Sequence, residues 1–119
     1  MRDYKKLQVW EKAHELVLFV YKQVLPKFPK HEQFDLMNQT KRAAYSITLN
    51  IVEGCGRNSE KDFTHFLDMA LGSAKELEYS CLLARDLNYL STDTYNDVYN
   101  KANEVIAMLI ALIKIIRGN

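Results

Sequence analysis

Histidines and paired carboxylates are the side chains of this sequence that could bind a metal or transfer protons. His14, His31 and His65 are widely separated, and the chain lacks the set of Glu-x-x-His pairs on facing helices that a di-iron bundle uses. Glu76 and Glu78 are two residues apart, so on a helix their carboxylates point in different directions. We therefore expect no metal site and no carboxylate pair for acid–base catalysis.

The other residues with reactive or phosphate-binding potential also stand outside known motifs. Gly54 and Gly56 follow a predicted helix, whereas the glycines of a dinucleotide-binding loop follow a strand. No nucleophile motif surrounds the serines or the cysteines. Cys55 and Cys81 lack Cys-x-x-Cys spacing, so we interpret them as reduced thiols of a cytoplasmic protein. The sequence thus predicts a protein that is not an enzyme and that holds no cofactor.

The length and composition are those of one ordinary domain. With 119 residues, 48% of them hydrophobic, the chain can bury a single core, so we expect one domain over residues 1–119. The net charge of +1 is low for a nucleic-acid-binding protein, although a local basic patch is compatible with it. The longest apolar run, residues 105–113, is shorter than the roughly 20 residues of a membrane span, and no signal peptide is expected.

Hydrophobic residues recur at helical spacing in four segments. We expect helices over about residues 7–25 and 32–53, a third from the N-cap Ser59 to about residue 88, and a fourth from Ser91 or Thr92 almost to the end. Pro26 ends the first helix, and the glycines after residue 53 end the second. Because the connections are short, the predicted fold class is an all-α, antiparallel up-down-up-down four-helix bundle.

The second helix has two apolar faces, which is unusual for a monomeric bundle. One face consists of Leu36, Ala43, Ala44, Ile47 and Ile51, and the other of Phe34, Tyr45, Leu49 and Val52. Between them runs a polar file with spacings of three, four, four and three residues: Gln39, Arg42, Ser46, Asn50 and Glu53. This file is either a solvated strip beside a wide core or a half-buried polar network against another helix or subunit.

We favour the polar network, because buried polar groups need partners and those partners set the register of a contact. Arg42 is the costliest residue of the file to bury alone. We expect Arg42 to pair with Glu53, or with Glu76 or Glu78 on the third helix. The predicted network and subunit interface therefore comprise Gln39, Arg42, Ser46, Asn50, Glu53 and Glu76.

The other helices also have features that exceed the needs of a monomer. Residues 105–116 are apolar apart from Lys114, whereas each helix of a lone four-helix bundle keeps one side in water. Phe19 falls in the polar sector of the first helix, and Gly72 suggests a close approach to the backbone of the third. Together with the polar file, these features predict a homo-oligomer.

Basic residues cluster at one predicted end of the bundle. The chain start and the second connection share that end in an antiparallel bundle, so Lys5, Lys6, Arg57 and Lys61 come together. The patch is either an ordinary solvated surface or a site for the phosphate backbone of RNA or DNA. Repetition around an oligomer axis would strengthen such a site.

Five motifs, spread over nearly the whole chain, carry a family resemblance. They are Leu7-x-Val9-Trp10-x-x-Ala13, Phe28-Pro29-x-x-Glu32, Leu36-x-x-Gln39-x-x-Arg42-Ala43-Ala44-x-Ser46-Ile47, Asn50-Ile51-x-Glu53-Gly54 and Ala70-x-Gly72-Ser73-x-x-Glu76-Leu77-Glu78. The sequence resembles the bacterial four-helix-bundle proteins named for intervening sequences in 23S ribosomal RNA genes. It is also similar to the accessory proteins of diversity-generating retroelements.

The resemblance implies a ring-like homo-oligomer, expected to be a pentamer, with RNA, DNA or a nucleic-acid enzyme as its partner. The near-neutral charge departs from the basic accessory proteins, which weakens the inference of strong nucleic-acid binding. The leading interpretation is a non-enzymatic homo-oligomeric scaffold associated with RNA or a ribonucleoprotein. The alternative is a protein–protein docking adaptor that uses an exposed Phe19 or the apolar end of the fourth helix.

Overall fold

Four long α-helices dominate the computed structural model, which describes residues 1–118. They are α1 (Gln8–Phe19), α2 (Leu36–Cys55), α3 (Glu60–Asp86) and α4 (Thr92–Arg117). The hydroxyls of Ser59 and Ser91 accept hydrogen bonds from the backbone N–H groups of Asp62 and Thr94, so both serines cap their helices as predicted. The expected all-α four-helix bundle is confirmed.

The helices alternate in direction along the chain. Thr40 of α2 bonds to Ser80 of α3, whereas Ser46, further along α2, meets Ser73, which lies earlier on α3. The most extensive helix pairs are α2 with α3 and α3 with α4, and α1 packs against both α2 and α4. These contacts close an up-down-up-down bundle that measures 43 × 23 × 19 Å.

Apolar side chains from all four helices fill the centre of the bundle. The largest completely buried ones include Leu16, Ile47, Ile51, Phe63, Leu67, Leu77, Val98 and Leu109. Each stabilises the fold by roughly 1.5–3 kcal/mol relative to an exposed position. Within residues 1–118, no helix has the length and apolar content that crossing a bilayer requires.

The end of α1 differs from the prediction of one continuous helix to residue 25. The α-helix ends at Phe19 and continues as a π-helical turn over Val20–Val24. In this turn the N–H of Leu25 donates to the carbonyl of Val20, and Val20 and Val24 remain buried. Pro26 has no N–H, so the regular helical hydrogen bonding cannot continue through it.

The start of α2 lies four residues later than the predicted residue 32. Lys30–Glu32 forms a separate 3₁₀ turn, and the backbone of Asp35 (φ −117°, ψ −109°) lies outside the helical region. Oε1 of Glu32 accepts a hydrogen bond at 3.2 Å from the backbone N–H of Leu36. The side chain of Glu32 therefore satisfies the first turn of α2 from outside the helix.

Candidate functional site

A groove of about 720 Å³ runs between the outer surfaces of α2 and α3. We call it the α2–α3 groove. Five of the six residues predicted to form the polar network line it, namely Gln39, Arg42, Ser46, Asn50 and Glu76. The sixth, Glu53, lies further along α2 and is not part of the lining. The helical spacing of the file therefore places most of its members on one continuous surface.

Hydroxyl groups join the two helices along the floor of the groove. The Oγ atoms of Ser46 and Ser73 are 2.8 Å apart, and Nδ2 of Asn50 donates to the carbonyl and the hydroxyl of Ser46 at 2.8 and 3.1 Å. Deeper in the contact, the buried hydroxyl of Thr40 donates to Oγ of Ser80 at 3.0 Å. None of these hydroxyl pairs was predicted from the sequence.

Arg42 and Glu76 occupy the outer edges of the groove, and both are exposed. Among residues 1–118, neither forms an ion pair or a side-chain hydrogen bond. The predicted pairing of Arg42 is therefore wrong within one protomer. Glu53 lies about 16 Å further along the helix and binds Arg57 at 2.7 Å instead. Glu78 lies on another side of α3, with Nζ of Lys75 3.8 Å from its Oε2.

Large apolar side chains flank these charges. Phe34 and Leu49 line the α2–α3 groove although they are 84% and 58% exposed. Tyr79, which is 61% exposed, lies beside Glu76 in an adjoining depression. The second apolar face predicted for α2 thus lies largely outside the core of the protomer.

Two predicted features of the other helices have different surroundings from those expected. Phe19 is partly buried, because it packs against the core and Nζ of Lys101 covers its ring at 5.1 Å, so the expected exposed aromatic is wrong. A Cβ atom added to Gly72 would meet no atom within 4 Å, so no described part of the protomer approaches it. The close approach occurs at Gly54, where an added Cβ would lie 3.0 Å from Cβ of Phe66.

The chain start and the α2–α3 connection lie at the same end of the bundle, as predicted. The backbone N–H of Arg2 donates to the carbonyl of Cys55 at 2.8 Å, and its guanidinium bonds to Glu60 at 2.8 Å, which lowers the pKa of that carboxyl. Arg57 is similarly engaged, since it binds Glu53 and lies 4.8 Å from the ring centre of Phe66. The two arginines of this end are therefore partly neutralised.

The lysines of the basic end are less constrained. Lys5, Lys6 and Lys61 are exposed, and none forms an ion pair with another residue in the range 1–118. The acidic residues Asp3 and Asp62 lie next to them in the sequence. The structure therefore places all four predicted residues at or next to this end, but as cations interspersed with carboxylates.

The opposite end of the bundle is held by a residue that the sequence analysis missed. The hydroxyl of Tyr89, in the α3–α4 connection, donates to Oε2 of Glu32 at 2.8 Å, and its ring packs against Phe28. Hydrogen bonds from Tyr89 and from the N–H of Leu36 lower the pKa of Glu32, while the bond to Glu32 raises the pKa of Tyr89. Two residues of the motif Phe28-Pro29-x-x-Glu32, Phe28 and Glu32, thus form the contact site for Tyr89.

The groups considered for catalysis are dispersed or unreactive. Glu11 and His14 have Glu-x-x-His spacing, but His14 stacks on Trp10 with ring centres 5.0 Å apart. Within residues 1–118, no group of three or more His, Cys, Asp or Glu side chains could hold a metal ion. Both cysteines are free and buried, and burial raises the pKa of Cys81 to about 12. Such a thiol carries very little thiolate at neutral pH.

Comparisons with known proteins agree with this fold and these motifs. Residues 5–111 match the family described as 23S rRNA-intervening sequence protein. No curated protein sequence matches the chain. A solved structure from Bacteroides thetaiotaomicron, of a protein with unknown function from the S23 ribosomal protein family, is 28% identical and superposes with a TM-score of 0.82. The match covers 89% of this chain and 98% of that one. Because this family match extends over residues from all four helices, the chain belongs to the family of 23S rRNA-intervening sequence proteins.

Proposed function

We propose that this protein is a non-enzymatic scaffold that assembles into a ring-like homo-oligomer, a pentamer, through the α2–α3 groove. The observation that carries the proposal is the state of Arg42 and Glu76, which lie exposed and without ion-pair partners in residues 1–118 beside exposed apolar side chains. Contiguous surfaces that combine apolar groups with polar ones are typical of protein interfaces.

The hydroxyl contacts beneath the groove support the same interpretation. Ser46, Asn50 and Ser73 already hydrogen-bond to one another, so these bonds need no rearrangement before a partner binds. The charged residues above the floor remain available for a partner. Burying Phe34 and Leu49 supplies the apolar free energy for association, and pairing of Arg42 and Glu76 supplies its orientation.

The mass of the particle in solution tests the assembly. Native mass spectrometry and light scattering at micromolar concentration are expected to give five times the 13.9 kDa mass of one chain. Leu49→Glu introduces a charge at an exposed groove position and is expected to yield monomers that remain helical by circular dichroism. A wild-type protein that stays monomeric at this concentration would refute the proposed function.

We further propose that the assembled ring contacts RNA through Lys5, Lys6 and Lys61. Each subunit offers three such lysines at this end, so affinity depends on repeating them around the axis. Binding to a labelled single-stranded RNA, measured by fluorescence anisotropy, is expected to decline as salt rises because counterions are released from phosphates. An affinity that is absent at low salt, or that is independent of salt, would contradict phosphate contact.

A matched charge change separates this RNA contact from general electrostatics. Reversing Lys5, Lys6 and Lys61 to Glu is expected to abolish RNA binding. The control reverses Lys22, Lys27 and Lys30, which lie at or near the opposite end of the bundle and are also exposed. Equal losses in both variants would refute a localised site. Capture of one protein partner that survives nuclease and both reversals would instead favour the docking adaptor.

A further inference from the structure

We propose that the α2–α3 groove of one subunit receives the C-terminal half of α4 from the next subunit. The inserted surface, which we call the α4 face, comprises Ala107, Ile110, Ala111 and Ile115. This proposal rests on the proposed assembly and identifies which two surfaces meet in it. The contact is heterologous, because the groove and the α4 face are different parts of the same protomer.

The α4 face is apolar and lies in water in the isolated protomer. Ile115 is 76% exposed, Ile110 is 38% exposed, and Ala107 and Ala111 are exposed between them. Their spacings of three, one and four residues place them on one side of the helix. Because the two alanines are small, another helix can approach this side of α4 closely.

The groove is long enough to receive the α4 face. The groove-lining residues of α2 run from Asn38 to Asn50, which corresponds to about 18 Å of helix, whereas residues 107–115 span about 12 Å. An amphipathic helix in an apolar-rimmed groove is a common form of protein recognition. Here Phe34 and Leu49 are positioned to contact the isoleucines.

The charges of the two surfaces are complementary. Lys114 lies on the same side of α4 as the residues of the α4 face and forms no ion pair in residues 1–118. Glu76 on the rim of the groove is likewise unpaired in these residues. Arg42 lies across the groove from Glu76, so a helix seated with Lys114 at Glu76 brings its C-terminal end towards Arg42. A cation is favoured there by the partial negative charge of a helix C-terminus.

The alternative contact, groove against groove, explains less of the surface. It would allow Arg42 to meet Glu76 of a second copy but would leave the isoleucines of the α4 face in water. The heterologous contact covers both surfaces at once. Repeated from subunit to subunit with a rotation that closes, it gives a ring, which a two-fold contact alone cannot do beyond a dimer.

Mixing two assembly-defective variants tests the proposal. Leu49→Glu damages only the groove, and Ile110→Glu damages only the α4 face. Each alone is expected to be monomeric, but an equimolar mixture is expected to form a one-to-one dimer, since the mixture retains one intact groove and one intact α4 face. Native mass spectrometry identifies this dimer by its mass, which is twice that of a single chain.

The readout of this mixing experiment is the mass of the complex. A complex of twice the 13.9 kDa chain mass, containing one copy of each variant, supports the proposal. A mixture that stays at the mass of one chain overturns it, as does an Ile110→Glu variant that assembles like the wild type. In that last case the wild-type particle persists, so the proposed assembly survives while the assignment of the α4 face fails.

A charge swap provides a second test that does not depend on the apolar contacts. Glu76→Lys and Lys114→Glu, made singly, are each expected to raise the dissociation constant about tenfold or more. Combining both changes in one chain restores an opposite-charge pair at every contact and is expected to restore assembly. Lys22→Glu, at an exposed position away from both surfaces, serves as the control for net charge. Additive losses in the double variant would overturn the proposed pairing.

Discussion

Two glycines that occupy opposite environments allow a direct test of the helix packing. Adding a Cβ atom at Gly54 would place it 3.0 Å from Cβ of Phe66 and 3.2 Å from both Cδ1 and the carbonyl oxygen of Phe63. The same change at Gly72 would meet nothing within 4 Å. Gly54→Ala therefore forces α2 and α3 apart, whereas Gly72→Ala alters only the helix that contains it.

The expected effects on folding have opposite signs. Overpacking at Gly54 costs about 1–3 kcal/mol, and the higher helix propensity of alanine offsets up to about 1 kcal/mol of that cost. We therefore expect Gly54→Ala to lower the free energy of unfolding by about 1–2 kcal/mol. Gly72→Ala has only the propensity gain, so it is expected to raise the free energy of unfolding by about 0.5–1 kcal/mol.

Both substitutions are best measured in the Leu49→Glu background, because dissociation of an oligomer would otherwise add to the unfolding free energy. Urea denaturation followed by circular dichroism gives the two differences, and thermal midpoints should shift by about 4 °C per kcal/mol. Loss of stability in Gly72→Ala would show that the protomer packs a group against that position. A neutral or stabilising Gly54→Ala would refute the close contact between α2 and α3.

Three further predictions concern single side chains. Arg42→Ala is expected to change the unfolding free energy of the protomer by less than about 0.5 kcal/mol. The same substitution is expected to weaken assembly by about 2 kcal/mol or more, which is near 30-fold in Kd. Unfolding curves measure the first effect and a sedimentation dilution series the second, and equal effects would contradict the interface. Tyr89→Phe is expected to lower the thermal midpoint at pH 7. Because the pKa of Glu32 is lowered from 4.5 in the folded state, that stabilisation is lost as pH falls through the lowered pKa, so melts at acidic pH should show no difference. Cys81 is expected to resist iodoacetamide at pH 8 in the folded protein, since burial raises its pKa to about 12, and intact-protein mass spectrometry checks this.

The helices could be predicted because their signals are local. The apolar periodicity and the N-caps Ser59 and Ser91 act within a few residues of the helices they specify. The start of α2 could not be predicted in the same way. Glu32 lies outside the helix, where it accepts a hydrogen bond from Tyr89, 57 residues away, and no local pattern indicates that contact.

The candidate site could be predicted to a similar extent. The groove-lining residues of α2 share one face of a single helix, so their spacing alone brings them together. The partners of those residues depend on how α3 is rotated and shifted relative to α2. That relation determines that Ser46 meets Ser73 and that Arg42 does not reach Glu78, and it results from the packing of the whole core.

Three features of the chain have no explanation within one protomer, and the proposed contact between subunits would account for all of them. Arg42 and Glu76 lack partners in residues 1–118, Ile110 and Ile115 lie exposed on α4, and Gly72 lowers helix propensity without an internal neighbour. Gly72 lies one turn before Glu76 on α3, so a helix that brings Lys114 to Glu76 also passes near the unsubstituted backbone at Gly72. In the proposed contact, a second copy of the same chain would therefore meet the requirements of the groove and those of α4 together.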